Sequence, residues 1–124
     1  MQRIDPPDCP PQNPSYSQAM VSGSTVYVAG QIGIDPTSGA LVGDDVTSQT
    51  ARIFQSLEVI LEAAGSAFDR IVKVTVYLVD LADWPAMNEV YLRHLGRHAP
   101  PKTTVEVRGL ALGARVEIDV TAEV

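Results

Sequence analysis

The stretch Ala99-Pro100-Pro101-Lys102-Thr103-Thr104-Val105-Glu106-Val107 constrains this chain more than any other. Pro101 has a fixed φ and no N–H, and Pro100 is driven toward extended geometry by the proline after it, so no helix arriving from Leu95 continues through this point. The chain must stop, turn and extend. Beyond the prolines, Thr103, Val105 and Val107 alternate with Thr104, Glu106 and Arg108, the period of a strand whose two faces meet different surroundings. Lys102 opens that strand on stiff backbone, which makes it a candidate anion-binding residue. The plain alternative is a solvated lysine at a strand end.

The remaining segments fall into place around this strand. From about Val46 to Ala64, Phe54, Leu57, Ile60 or Leu61, and Ala64 recur at helical spacing opposite Arg52, Gln55 and Glu62, with Asp44 and Asp45 as candidate caps and Gly65 as the C′ residue. Ile71–Leu78 is the strongest strand signal; alternation places Val72, Val74, Val76 and Leu78 on one face and Lys73, Thr75 and Tyr77 on the other. A second helix is predicted from about Trp84 to Leu95, capped by Asp83, with Pro85 in its first turn, Gly96 at its end, and Trp84, Met87, Val90 or Tyr91, and Leu95 facing inward. Ala19–Val21 and Thr25–Gln31 flank a Ser22-Gly23-Ser24 turn and read as a hairpin. Val116, Ile118, Val120 and Ala122 alternate with Glu117, Asp119, Thr121 and Glu123 in a last strand. Arg3-Ile4-Asp5 reads as a short edge strand. Five of the nine residues from Pro6 to Pro14 are prolines, so that stretch forms a loop or arm rather than a paired strand.

The resulting order of strand, strand, helix, strand, helix, strand, strand predicts an α+β sandwich in one domain, residues 1–124, with residues 1–14 as an N-terminal arm. Two helices cover one sheet face. The other face carries Tyr27, Thr75, Tyr77 and several charges, so it must meet water or a second copy of the chain, and a homo-oligomer is expected.

Composition excludes several function classes. Nine Lys+Arg against fifteen Asp+Glu give a net charge of -6 with no basic cluster, which argues against nucleic acid as a partner. The single cysteine, Cys9, has no partner for an intrachain disulfide, and a reducing compartment is the simplest reading. The start lacks the apolar run of a signal peptide and no stretch approaches a membrane span, so a soluble, cytoplasmic protein is expected. Gly30 and Gly33 make no phosphate loop, because no Lys-Ser/Thr follows them. His94 and His98 have no third ligand at metal spacing, and no serine is tied to a histidine.

Taken together, Tyr16-Ser17-Gln18-Ala19, Gly30-Gln31-Ile32, Val72–Leu78, Asn88-Glu89-Val90-Tyr91 and Pro101–Val107 resemble the Rid family of reactive intermediate deaminases, also called YjgF or endoribonuclease L-PSP. The resemblance runs from about Ser15 to Ala122. It implies a chorismate-mutase-like fold assembled as a homotrimer, with clefts between subunits that hydrolyse enamine and imine acids such as 2-aminoacrylate to a 2-keto acid and ammonia, without a cofactor. By the same resemblance Lys102, Asp119 and Tyr16 are the catalytic candidates, and Gly30, Ala29, Asn88, Thr104 and Gln31 the substrate-binding ones; the ligand is a small carboxylate.

Three positions depart from the family pattern. Lys102 stands where the deaminases carry an arginine, and an ammonium is a compact, strongly hydrated point charge where a guanidinium is a planar fork. Ala29 replaces a serine. Asp119 stands for a glutamate and reaches one methylene less far. Two readings follow: a deaminase that uses Lys102 as its anion clamp, or a trimeric small-molecule-binding homologue that has lost turnover. A ribonuclease is disfavoured by the acidic balance. A Schiff-base role for Lys102 would require a depressed pKa.

Overall fold

The computed structural model describes residues 1–124. Six strands form one sheet: β1 Gln2–Ile4, β2 Ala19–Ser22, β3 Thr25–Val28, β4 Ile71–Leu78, β5 Lys102–Glu106 and β6 Val116–Glu123, in the spatial order β1-β2-β3-β6-β4-β5. Every neighbouring pair is antiparallel except β4 and β5, which run parallel with Val74 opposite Lys102 and Leu78 opposite Glu106. A parallel pair needs a crossover, and α2 (Trp84–Leu95) supplies it. The other helix, α1 (Val46–Ala63), links β3 to β4. This is an α+β fold with a mixed sheet and two helices packed against each other.

The core follows from the two periodicities. Ile53, Phe54, Leu57, Ile60 and Leu61 of α1 are fully buried, as are Val74, Val76 and Leu78 of β4 and Val116 and Ile118 of β6. At about 25 cal/mol per Å² of apolar surface removed from water, each such side chain contributes about 1.5–3 kcal/mol before chain entropy is counted. On β6 the burial alternates strictly, leaving Glu117, Asp119 and Thr121 on the face away from the helices.

Local signals explain most boundaries. Asp45 caps α1, its carboxylate accepting from Ser48 N at 2.8 Å. Gly65 (φ +80°) and Gly96 (φ +48°) end the two helices in conformations that side chains disfavour. Three expectations fail. Val72 does not join the inward face of β4: the ladder to β6 shifts register between Ile71 and Lys73, so Ile71 is buried and Val72 is exposed. Asp83 makes no side-chain cap to α2; its carboxylate instead accepts from Arg115 Nη2 at 2.8 Å and Nε at 2.9 Å, tying the start of α2 to the entry of β6. Trp84 is 40% exposed rather than inward, because its ring lies beside Lys102. The histidines serve packing: His94 stacks on Phe54 with ring centroids 4.8 Å apart, and His98 Nε2 bonds the Ile71 carbonyl.

Candidate functional site

Lys102 begins β5 in register with the buried Val74, so its side chain leaves the sheet on the helix-covered face. There it meets α2. Its Nζ donates to Asn88 Oδ1 at 2.8 Å and stands 4.1 Å from the centre of the Tyr91 ring and 5.4 Å from that of Trp84. Asn88 and Tyr91 are three residues apart and Trp84 lies one turn earlier, so a single stripe of α2 holds the ammonium. Burial lowers the pKa of Lys102. The amide oxygen and the ring faces act the other way, since each favours the cation. We therefore assign Lys102 as a held positive charge rather than an amine nucleophile. Thr104, two residues along β5, shares this face.

A second group of residues gathers at the other end of the site. Gln31 pairs with Ile118 of β6, its N–H donating to the Ile118 carbonyl at 2.8 Å and its own carbonyl accepting from Ile118 N at 3.0 Å. That pairing brings Gly30 against Glu117. A Cβ on Gly30 would stand 2.8 Å from Glu117 Cδ and nearer still to Oε2, so the position accepts only glycine while the carboxyl keeps its place. Glu117 is half-buried, and its pKa is raised first by that burial and then by the neighbouring Asp119 charge. Asp119 itself accepts a hydrogen bond from the Tyr77 hydroxyl at 2.9 Å, which raises the tyrosine's pKa. Glu117 and Asp119 share the open face, two residues apart on one strand.

Tyr16 lies at the end of the arm, its hydroxyl accepting from Gln12 N at 3.0 Å. It lines a small pocket with Gly30 and Gln31. Ala29 is joined to Gln18 by its backbone N–H, which donates to the Gln18 carbonyl at 2.8 Å.

The residues proposed from sequence thus form three places, not one. Lys102, Asn88 and Thr104 lie on the helix side of β5; Tyr16, Ala29, Gly30 and Gln31 lie beside β6; Asp119 lies on the open face with Tyr77. Lys102 and Glu117 emerge from opposite faces of the same sheet. Sequence reasoning passed over Glu117, since period-two alternation cannot choose between two carboxylates on one face. It also passed over Trp84 and Tyr91 as partners of Lys102.

The profile of the family described as Endoribonuclease L-PSP matches residues 8–124. A RutC family protein of Pyrococcus abyssi is 44% identical over 107 residues, covering 86% of this chain and 84% of that one. The human 2-iminobutanoate/2-iminopropanoate deaminase is 38% identical over 107 residues, 86% of this chain and 78% of its own. Among solved structures, RidA from the Antarctic bacterium Psychrobacter sp. superposes with a TM-score of 0.94 at 35% identity over 100% of both chains. Escherichia coli TdcF with bound serine gives a TM-score of 0.93 at 30% identity, covering 100% of this chain and 99% of that one. The chain belongs to the Rid (YjgF, endoribonuclease L-PSP) family. No helix is long and apolar enough to cross a membrane.

Proposed function

We propose that this protein is a hydrolytic deaminase of small imine acids, working as a homotrimer in which Lys102 of one copy and Glu117 of the next face a shared cleft. The observation that carries this reading is the placement of a held cation and a raised-pKa carboxyl on opposite faces of one sheet, which a single chain cannot bring together. A family whose relatives include imine deaminases supplies the reaction class. The open sheet face, with Tyr27 54% exposed, is the surface available for assembly.

The chemistry asked of the site is modest. A substrate carboxylate binds the Lys102 ammonium through a charge-assisted hydrogen bond, while Asn88 keeps that ammonium from wandering. Water adds through oxygen to the imine carbon, giving a tetrahedral carbinolamine. Glu117 takes the water's proton and returns it to nitrogen, and ammonia leaves with the C–N electron pair as the C=O bond forms. A carboxyl raised above its ordinary value lies nearer the working pH and serves both transfers better than an unperturbed one. The reaction uses no cofactor. A cytoplasmic location belongs to the same proposal, supported by the free Cys9 thiol.

A second reading rests on Lys102 alone. Its ammonium already has Asn88 and the Tyr91 ring as partners, which suits a binding protein that does not turn over. Ammonia release from 2-aminoacrylate or 2-iminobutanoate generated in situ separates the two. The deaminase reading expects release well above the spontaneous rate, with Lys102→Ala raising KM about 10–100-fold, the equivalent of one charge-assisted hydrogen bond. Release no faster than in buffer, with keto acids still bound, supports the binding protein.

A further inference from the structure

The arm does more than precede the sheet. Gln18, 4% exposed, binds it through an amide whose donor and acceptor ends are both used: Nε2 donates to the carbonyls of Cys9 and Pro10 at 3.0 Å each, and Oε1 accepts from Gln31 Nε2 at 2.8 Å. Its backbone adds two more ties, the N–H donating to Asp5 Oδ1 at 2.8 Å and the carbonyl accepting from Ala29 N at 2.8 Å. One buried residue therefore joins the arm, the strand leading to Gly30, and Gln31 beside β6. Removing a partner from such a network leaves buried polar groups unsatisfied, so the arm's position is set here rather than by its prolines alone.

Held in this way, the arm forms one wall of the pocket that opens beside Gly30. Cys9, Pro10 and Tyr16 face Ile32, Ile34 and Pro36 across a volume of ≈ 70 Å³. At roughly 10–15 Å³ for each water-sized occupant, that space admits about five non-hydrogen atoms. Gly30 touches both this pocket and the Glu117 carboxyl, so only backbone separates the space from the group assigned to the chemistry. Cys9 is buried and its thiol pKa is pushed up by that burial, so it acts here as wall and not as nucleophile.

We propose that this pocket is the subsite for the carbon chain of the substrate, that the arm sets its depth, and that Gln18 is the positioning residue holding the arm in place. The inference rests on the imine-acid reading for the identity of the ligand. It assigns selectivity to a segment outside both catalytic clusters. Short unbranched side chains of up to about four or five atoms fit the volume; branched and aromatic ones do not.

The test measures binding and turnover separately. Dissociation constants for pyruvate, 2-oxohexanoate and phenylpyruvate are determined by calorimetry for the native protein, Ile32→Phe and Gln18→Ala, and kcat/KM is determined for the corresponding imines. The native protein is expected to favour 2-oxohexanoate over phenylpyruvate. Ile32→Phe fills the subsite from a half-buried position and is expected to lower 2-oxohexanoate affinity about tenfold or more relative to pyruvate, since each methylene in an apolar pocket is worth about 10–200-fold. Gln18→Ala frees the wall and is expected to reduce discrimination against phenylpyruvate by about tenfold. Gln18→Glu, which keeps the acceptor for Gln31 but loses the donor to the arm, is expected to behave like Gln18→Ala. If Gln18→Ala does not fold, the chain-length ratio in Ile32→Phe decides alone. Unchanged ratios in folded variants, or no keto-acid binding by the native protein, overturn the subsite. Keto-acid binding with shifted ratios but no turnover of any imine sustains the subsite and removes the deaminase reading.

Discussion

Gly30→Ala separates the role of Glu117 from the stability of the fold. The glycine has no positive φ, so alanine brings no backbone strain there. The new methyl would stand 2.8 Å from Glu117 Cδ, and the carboxyl must retreat by about 0.6 Å or more to regain ordinary van der Waals contact. The clashing atoms are the far end of a flexible side chain, and turning it away costs about 0.5–1.5 kcal/mol. The reduced freedom of the unfolded chain returns about 0.4–1 kcal/mol, so net stability changes little. Catalysis is far less tolerant, because a misplacement on the order of 1 Å costs about 100-fold. The expected outcome is a denaturant midpoint close to native with kcat/KM for imine hydrolysis down about 100-fold. A displaced, better-solvated carboxyl also loses the burial that raised its pKa, so the acid limb of the pH–rate profile moves down toward 4.5. Activity within about threefold of native, or a stability loss above about 3 kcal/mol, would refute the placement of Glu117 over Gly30.

Gly33→Ala gives the contrasting result: its Cβ would lie 2.7 Å from Gln49 Cα in α1, where backbone cannot yield, so urea unfolding is expected to show a loss of about 1–3 kcal/mol or more. Phe54→Ala removes a fully buried ring that stacks on His94 and meets Phe68 and Tyr91 edge-on, and calorimetry is expected to show a loss of about 3–5 kcal/mol. Burial lowers the pKa of His94 from 6.5, so the unfolded chain takes up that proton first and stability falls as pH drops below about 6.5 toward the folded value. In His94→Gln that component of the pH dependence is expected to disappear, which thermal melts across the same range will show.

Alternation and helical spacing made the element order legible, including the limits of α2 and the inward set on β6, because each of those segments has one apolar face with a single possible partner. The signal failed where the chain departs from regular geometry. The shift between Ile71 and Lys73 exchanged Val72 for Ile71, and nothing in the local residue types announces a bulge there. Asp83 has the chemistry of a cap, yet Arg115, distant in sequence, claims its carboxylate. The candidate site was legible as a set of residue types and not as an arrangement. Lys102 was recognisable from the prolines that deliver it, but its ring partners lie on a helix whose register only the packed structure fixes. Glu117 was hidden beside Asp119 on the same face, and Gln18 carries no periodic signal, being a buried polar residue between an arm and a strand.

Subunit mixing tests the central claim most directly. Lys102→Ala and Glu117→Gln are purified, unfolded together in equal amounts, refolded, and assayed for ammonia release from 2-iminobutanoate. If each cleft takes its cation from one copy and its carboxyl from the next, random mixing restores about a quarter of the native activity, although each variant alone is nearly inert. Mixed oligomers that form but stay as inactive as the separate variants would contradict the shared site.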